Sequence, residues 1–169
     1  KITFIGAGNM SEAIISGVLK QGVFDATDIT VSDPLIERLN HMGNTYGVKV
    51  SENNIQAVEE ADVVVLAIKP QIFSAAWDSF KSVISNRTLI ISVMAGGSSR
   101  AIISGTDLRV IRVMPNTPSL IGRGASGIAM GQTATEDDMN TAEKIMQSVG
   151  VSVRVEEEQL HAVTALSGS

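Results

Sequence analysis

The chain has 169 residues, 44% of them hydrophobic, and a formal net charge of −5. That length suits one domain, or one domain and the start of another, with enough apolar content for a packed core rather than a disordered chain. The acidic balance, with no run rich in lysine or arginine, excludes a phosphate-backbone binder, so no nucleic-acid partner is expected.

Lys1-Ile2-Thr3-Phe4-Ile5 reads as a short strand, and Gly6-Ala7-Gly8-Asn9-Met10-Ser11 as a glycine-rich turn. Met10, Ala13, Ile14, Gly17, Val18 and Gln21 then recur at helical spacing. Strand, glycine turn and helix in that order are the setting in which G-x-G-x-x-G marks a dinucleotide-binding turn. Gly6 makes the tight turn and Gly8 lets backbone approach a pyrophosphate. The helix N-terminus supplies N–H groups and partial positive charge. Ser11 replaces the third glycine and is small enough for close helix–strand packing.

Ile29 to Ser32 is a second strand, followed by Asp33-Pro34 and a helix from about Leu35 to Tyr46 that the proline starts. Asp33 ends that strand about 25 residues beyond the turn, where a carboxylate accepts from ribose hydroxyls and repels a 2′-phosphate. This favours NADH alongside NADPH. Arg38 falls about a helical turn further on, too far to pair with the phosphate, whereas Ser32 can serve it if Asp33 turns away. Val48 to Val50 is a short strand, and Asn53 to Glu60 a short helix capped by Ser51 or Asn53. Asp62 to Ile68 is a continuous apolar run, the pattern of a parallel strand covered on both faces.

Lys69-Pro70 leads into a helix with Phe73, Ala76, Trp77 and Phe80, where Trp77 is read as core. Thr88 to Val93 is a strand leading into Ala95-Gly96-Gly97 and a short helix; Leu108 to Val113 is another strand, ending at Met114-Pro115-Asn116-Thr117-Pro118. Ala125 to Met130 reads as a strand, Glu136 to Val149 as an amphipathic helix, and Val151 to Val155 as a last strand. A new helix then begins over Glu156 to Leu166.

Strands alternating with helices define an α/β fold, Rossmann-like and doubly wound, with a mainly parallel sheet. Ligands of such sheets gather beyond the carboxyl ends of the strands, where the glycine, proline and polar residues recur. We expect a dinucleotide-binding domain over residues 1–155 and the start of a helical second domain over 156–169. His41 and His161 lie in separate predicted helices without a second ligand, so no metal is assigned. With no cysteine, disulfide, thiolate and zinc–cysteine chemistry are excluded, and a reducing cytoplasm is compatible. No apolar stretch reaches the about 18 residues of a membrane span, and no leader is expected ahead of a first strand that already belongs to the fold.

Four motifs together resemble the Δ1-pyrroline-5-carboxylate reductase family. They are Phe4-Ile5-Gly6-Ala7-Gly8-Asn9-Met10, Leu66-Ala67-Ile68-Lys69-Pro70, Arg112-Val113-Met114-Pro115-Asn116-Thr117-Pro118 and Ala162-Val163-Thr164-Ala165-Leu166-Ser167-Gly168-Ser169. The resemblance covers the whole chain and implies reduction of pyrroline-5-carboxylate to proline with NADPH or NADH, the last step of proline biosynthesis. It places the pyrophosphate on Ile5, Gly6, Ala7, Gly8, Asn9 and Met10, and the adenine ribose by Asp33. Asn54 lies beside the cofactor. Ala67, Ile68, Lys69 and Pro70, with Val93, Met94 and Ala95, flank it towards the nicotinamide, and Asn116 lines the cleft there. Glu157 matches an acidic position near the imino acid, with Glu156 and Glu158 leaving the register open by one.

The same residues have plainer readings: Lys69 as a solvated lysine, Asn116 as a turn former between prolines, and Glu157 as a first-turn glutamate favoured by the helix dipole. The resemblance further implies a substrate loop and dimer-forming helices beyond Ser169, hence a homo-oligomer, and no turnover by this chain alone. No catalytic residue is assigned within it. Two other readings stay open: a dehydrogenase of the hydroxyacid or 6-phosphogluconate type, and a nucleotide-sensing module without activity.

Overall fold

The computed structural model describes residues 1–102, 104, 106–160 and 162. Eight strands form one sheet in the order β3-β2-β1-β4-β5-β6-β7-β8. They are β1 (Ile2–Ile5), β2 (Ile29–Ser32), β3 (Lys49–Ser51), β4 (Val63–Leu66), β5 (Leu89–Ser92), β6 (Arg109–Pro115), β7 (Gly124–Met130) and β8 (Gly150–Arg154). The first six pair in parallel, β7 runs antiparallel to β6, and β8 is parallel to β7. The order 3-2-1-4-5-6 is that of the doubly wound dinucleotide-binding sheet, and its strand order reverses between β1 and β4. The helices are α1 (Asn9–Lys20), α2 (Ile36–Tyr46), α3 (Asn54–Val58), α4 (Pro70–Phe80), α5 (Ser99–Ile102) and α6 (Glu136–Met146).

Alternation along the central strands feeds two cores. Phe4, Val65, Ile91, Ile111 and Val113 pack with Ile14, Val18 and Leu39 of α1 and α2, and with Met139 and Ile145 of α6. Ile5, Val64, Leu66, Ile90 and Val110 face the other way, towards Trp77 and Phe80 of α4. Strands apolar at successive positions are therefore buried on both faces, as a parallel sheet under two helical layers requires. Trp77 is 6% exposed and stacks on Phe73 with ring centroids 5.9 Å apart, which places it in the core.

Three local features refine the sequence expectation. Pro34 does not open α2: Leu35 is its N-cap and the helix begins at Ile36. Asn53 rather than Ser51 caps α3, accepting from the amides of Ile55 and Gln56. Strand β7 reverses direction because only Asn116 and a five-residue 3-10 turn, Thr117–Ile121, with two further residues separate it from β6; that is too short for a crossover. Of the segment read as a final helix, a 3-10 turn at Glu157–Gln159 and Leu160 are described, and its remainder lies largely outside the described residues.

The glycine turn is held by geometry that only glycine accepts. Gly6 has φ +104°, and a Cβ there would stand 2.5 Å from the carbonyl oxygen of Ala67. Gly6→Ala is expected to lower stability by about 2 kcal/mol or more. Chemical denaturation of the two proteins side by side measures this.

Candidate nucleotide-binding site

Gly6 and Gly8 sit where β1 hands over to α1, at the switch point between β1 and β4. A cleft of about 680 Å³ opens there. Of the residues singled out in the sequence, Ile5, Gly6, Gly8, Asp33, Asn54, Ala67, Ile68 and Lys69 all line it. Gly8 is the N-cap of α1 and has no side chain to satisfy the first-turn amides. A Cβ on Gly8 would meet nothing within 4 Å. Uncapped amides beside open space match the needs of a pyrophosphate, so these residues fit a dinucleotide.

The turn is anchored by both polar atoms of Ala7. Its N–H donates to Asp33 Oδ2 at 2.7 Å, and its carbonyl accepts from Arg38 Nε at 2.7 Å. Asp33 Oδ1 also accepts from the Leu35 amide at 2.8 Å. The Asp33 carboxylate is thus fixed at the cleft wall by two backbone donors. Ser11 Oγ donates to the Gly6 carbonyl at 2.6 Å from a fully buried position, a hydrogen bond that a third glycine could not make. Ser32, almost wholly buried, donates to Asn54 Oδ1 at 2.7 Å, so its hydroxyl is committed inside the wall.

The remaining candidates are not among the residues that line this cleft. Asn9 and Met10 form the first turn of α1, and Pro70 is the first residue of α4. Val93 and Met94 follow β5 and are buried, while Ala95 beyond them is exposed. Asn116 Oδ1 accepts from the Ala125 amide at 2.9 Å, so its side chain closes the β6–β7 connection. Glu157 is turned towards Ser99 at the start of α5. Among the described residues no group of three or more His, Cys, Asp or Glu could hold a metal ion, and no helix is long and apolar enough to cross a membrane. His161 lies outside the described residues.

Sequence reasoning missed the role of Arg38. Its Nη2 donates to Glu12 Oε2 at 2.7 Å, and the other oxygen of Glu12 meets His41 Nε2 at 2.6 Å and the Tyr46 hydroxyl at 3.0 Å. The available signal was the helical spacing of Arg38, His41 and Tyr46 at i, i+3 and i+8, one face turned towards a glutamate in the first turn of α1. The His41 hydrogen bond above all, with those from Arg38 and Tyr46, pulls the Glu12 carboxyl down from an ordinary 4.5 to about 2, against the effect of burial.

The fold and cleft define a Rossmann-like domain with a glycine turn whose free amides fit a phosphate. Residues 1–96 match the family described as NADP oxidoreductase coenzyme F420-dependent, and the chain belongs to that family. Over its whole length it is 40% identical to a pyrroline-5-carboxylate reductase of Methanosarcina acetivorans, covering 63% of that protein. It is 41% identical to that of Haemophilus influenzae, with 99% of the chain aligned over 62% of the relative. The structure of a pyrroline-5-carboxylate reductase from Coxiella burnetii superposes with a TM-score of 0.94 at 36% identity, covering 98% of this chain and 63% of that one. The chain thus spans a little under two thirds of the length of these relatives.

Because its folded pKa is depressed, Glu12 contributes stability in full above about 4.5 and loses that contribution as pH falls through about 2. Glu12→Gln is expected to cost about 2 kcal/mol at neutral pH. The gap from wild type should narrow as pH falls from 4.5 towards 2, which denaturant melts across pH measure.

Proposed function

We propose that this chain is the nucleotide-binding part of a pyrroline-5-carboxylate reductase, reducing 1-pyrroline-5-carboxylate to L-proline with NADH or NADPH in the cytoplasm. The observation that carries this reading is the open cleft at the β1/β4 switch point, walled by Gly6, Gly8, Asp33 and Ala67 to Lys69. Relatives of that name at about 40% identity over the full chain support it.

The bound dinucleotide supplies the hydride, which adds to a C=N carbon once the imine nitrogen is protonated. The chain's own work is binding and orientation. The turn from Gly6 to Met10 and the first amides of α1 hold the pyrophosphate, and Ala67 to Pro70 with Val93 to Ala95 flank the nicotinamide end. Residues 1–155 form the nucleotide domain in this reading, and 156–169 lead into a helical domain that supplies the remaining substrate contacts and the oligomer interface. No general base is needed in the chain, because orientation and charge stabilisation are what it has to provide.

Asp33 is the reason to include NADH. Two backbone donors fix its carboxylate, so it does not swing aside to let Ser32 serve a 2′-phosphate. Each carboxylate oxygen keeps a lone pair for a ribose hydroxyl, and the charge repels the extra phosphate of NADPH.

The direct test is turnover by the full-length protein, with pyrroline-5-carboxylate reduced and 3-hydroxy acids left unoxidised. Activity on the hydroxy acids alone would replace the reading by the hydroxyacid-dehydrogenase one. Nucleotide binding without turnover of either would leave a sensing module.

Gly8→Val is expected to weaken binding of both nucleotides by about ten-fold or more, because the side chain enters the space the pyrophosphate needs. The open surroundings of Gly8 predict a folded variant, with about 1 kcal/mol lost at the cap. Calorimetric titration together with thermal melts checks both halves. Asp33→Ser should move the ratio of kcat/KM for NADPH over NADH upward by about ten-fold as one like-charge contact is lost. Taking the ratio cancels any general loosening of the Ala7 turn.

A further inference from the structure

Ala7 stands between the two glycines that line the cleft, and the peptide joining it to Gly8 is held by nothing in its own geometry. Gly8 has φ −76° and, lacking a Cβ, accepts the opposite sign as readily. In a trans peptide the carbonyl and the N–H point to opposite sides. Turning the Ala7–Gly8 peptide over would therefore exchange them, and set a carbonyl oxygen where a phosphate needs a donor. Arg38 Nε opposes this by donating to the Ala7 carbonyl at 2.7 Å. Arg38 is not among the residues that line the cleft, so the carbonyl is drawn out of it and the Gly8 N–H is left on the cleft side. Asp33 acts on the preceding peptide, through the Ala7 N–H.

A long side chain fixes a carbonyl only if it is fixed itself. Arg38 belongs to α2, and its Nη2 donates at 2.7 Å to Oε2 of Glu12 in the first turn of α1. One planar guanidinium thus ties the turn to the helix that follows it. The other oxygen of Glu12 meets His41 Nε2 at 2.6 Å and accepts from the Tyr46 hydroxyl at 3.0 Å. Glu12, His41 and Tyr46 together set the position of Arg38.

We propose that Arg38 is a positioning residue for the dinucleotide: it locks the Ala7–Gly8 peptide with its N–H towards the cleft, and Glu12 locks Arg38. This rests on the nucleotide reading of the cleft and holds whichever substrate is reduced.

The test compares Arg38→Lys and Glu12→Gln with the wild type in the full-length protein. Arg38→Lys keeps the charge but loses the planar fork that reaches Ala7 and Glu12 at once. By calorimetric titration, Kd is expected to rise about ten-fold for NADH and by the same factor for NADPH, since the turn serves the pyrophosphate they share. The Gly8 amide resonance should leave its wild-type position in the nucleotide-free variant and return to it at saturation, because bound nucleotide selects the same peptide orientation. Glu12→Gln removes a negative charge near the cleft, which alone would tighten an anion; a Kd raised about three-fold for both nucleotides instead reports a guanidinium set loose. A loss confined to NADPH overturns the proposal, because Arg38 would then be meeting the 2′-phosphate itself. Unchanged affinity in a folded Arg38→Lys protein overturns it too, as a role in stability alone would leave Kd untouched. If Arg38→Lys does not fold, Glu12→Gln decides, and an equal or tighter Kd sinks the idea. A wild type that binds neither nucleotide overturns the nucleotide reading and this proposal together, whereas wild-type binding that both variants retain overturns this proposal only.

Discussion

The peptide group of Ala7 is the point on which the nucleotide cleft depends. Asp33 takes its N–H and Arg38 its carbonyl, so the end of β2 and the flank of α2 grip the turn from both sides. Gly6, pressed against Ala67, fixes the same turn from β4. A phosphate-binding turn owes its affinity to backbone amides already aimed at the ligand, so immobilising it in advance saves ordering entropy on binding. The clamps from Asp33 and Arg38 are charge-assisted, the stronger kind of hydrogen bond. Glu12, His41 and Tyr46 extend the clamp by holding the guanidinium of Arg38 in place.

Asp33 therefore joins a structural duty to the ribose contact proposed for it. Its position on the cleft wall suits recognition of a ribose, yet its oxygens already serve the Ala7 and Leu35 amides. In the proposed reading, replacing it touches cofactor choice and turn geometry together, which is why a ratio between cofactors is the informative quantity. The two effects share one carboxylate because the residue just after β2 lies next to the glycine turn in a sheet of this order.

Three strands across the sheet from β1, in register with Ile5, an ion pair between Arg112 and Glu157 takes the place of apolar packing. Ser92 and Arg112 interrupt two strands that are otherwise apolar on that face. A buried ion pair of this kind seldom adds net stability over well-packed apolar side chains. What it gives is a fixed mutual position for three pieces of chain, the Gly96 turn, Ser99 and Glu157. Arg109, three residues earlier, instead reaches Asp138 of α6 at 2.8 Å on the opposite layer, so one strand carries two arginines with separate structural tasks.

The sequence alone determined the local architecture. Phe4 to Ser11 showed strand, turn and helix because each signal lies within a few neighbouring residues: β-branched runs, glycines and helical spacing. Asp62 to Ile68 showed a strand buried on both faces for the same reason, and Asp33 could be placed at the cleft by counting from the turn. Only the tertiary structure decided what depends on residues far apart in the chain. The grip of Arg38 on Ala7 spans 31 positions, and that of Glu157 on Ser99 spans 58. The reversal of β7, the commitment of the Ser32 hydroxyl to Asn54 and the turn-closing role of Asn116 belong with them. Periodicity reports which face of an element is apolar, but the partner of a polar atom is chosen by strand order and helix docking, which bring remote segments within about 3 Å of each other.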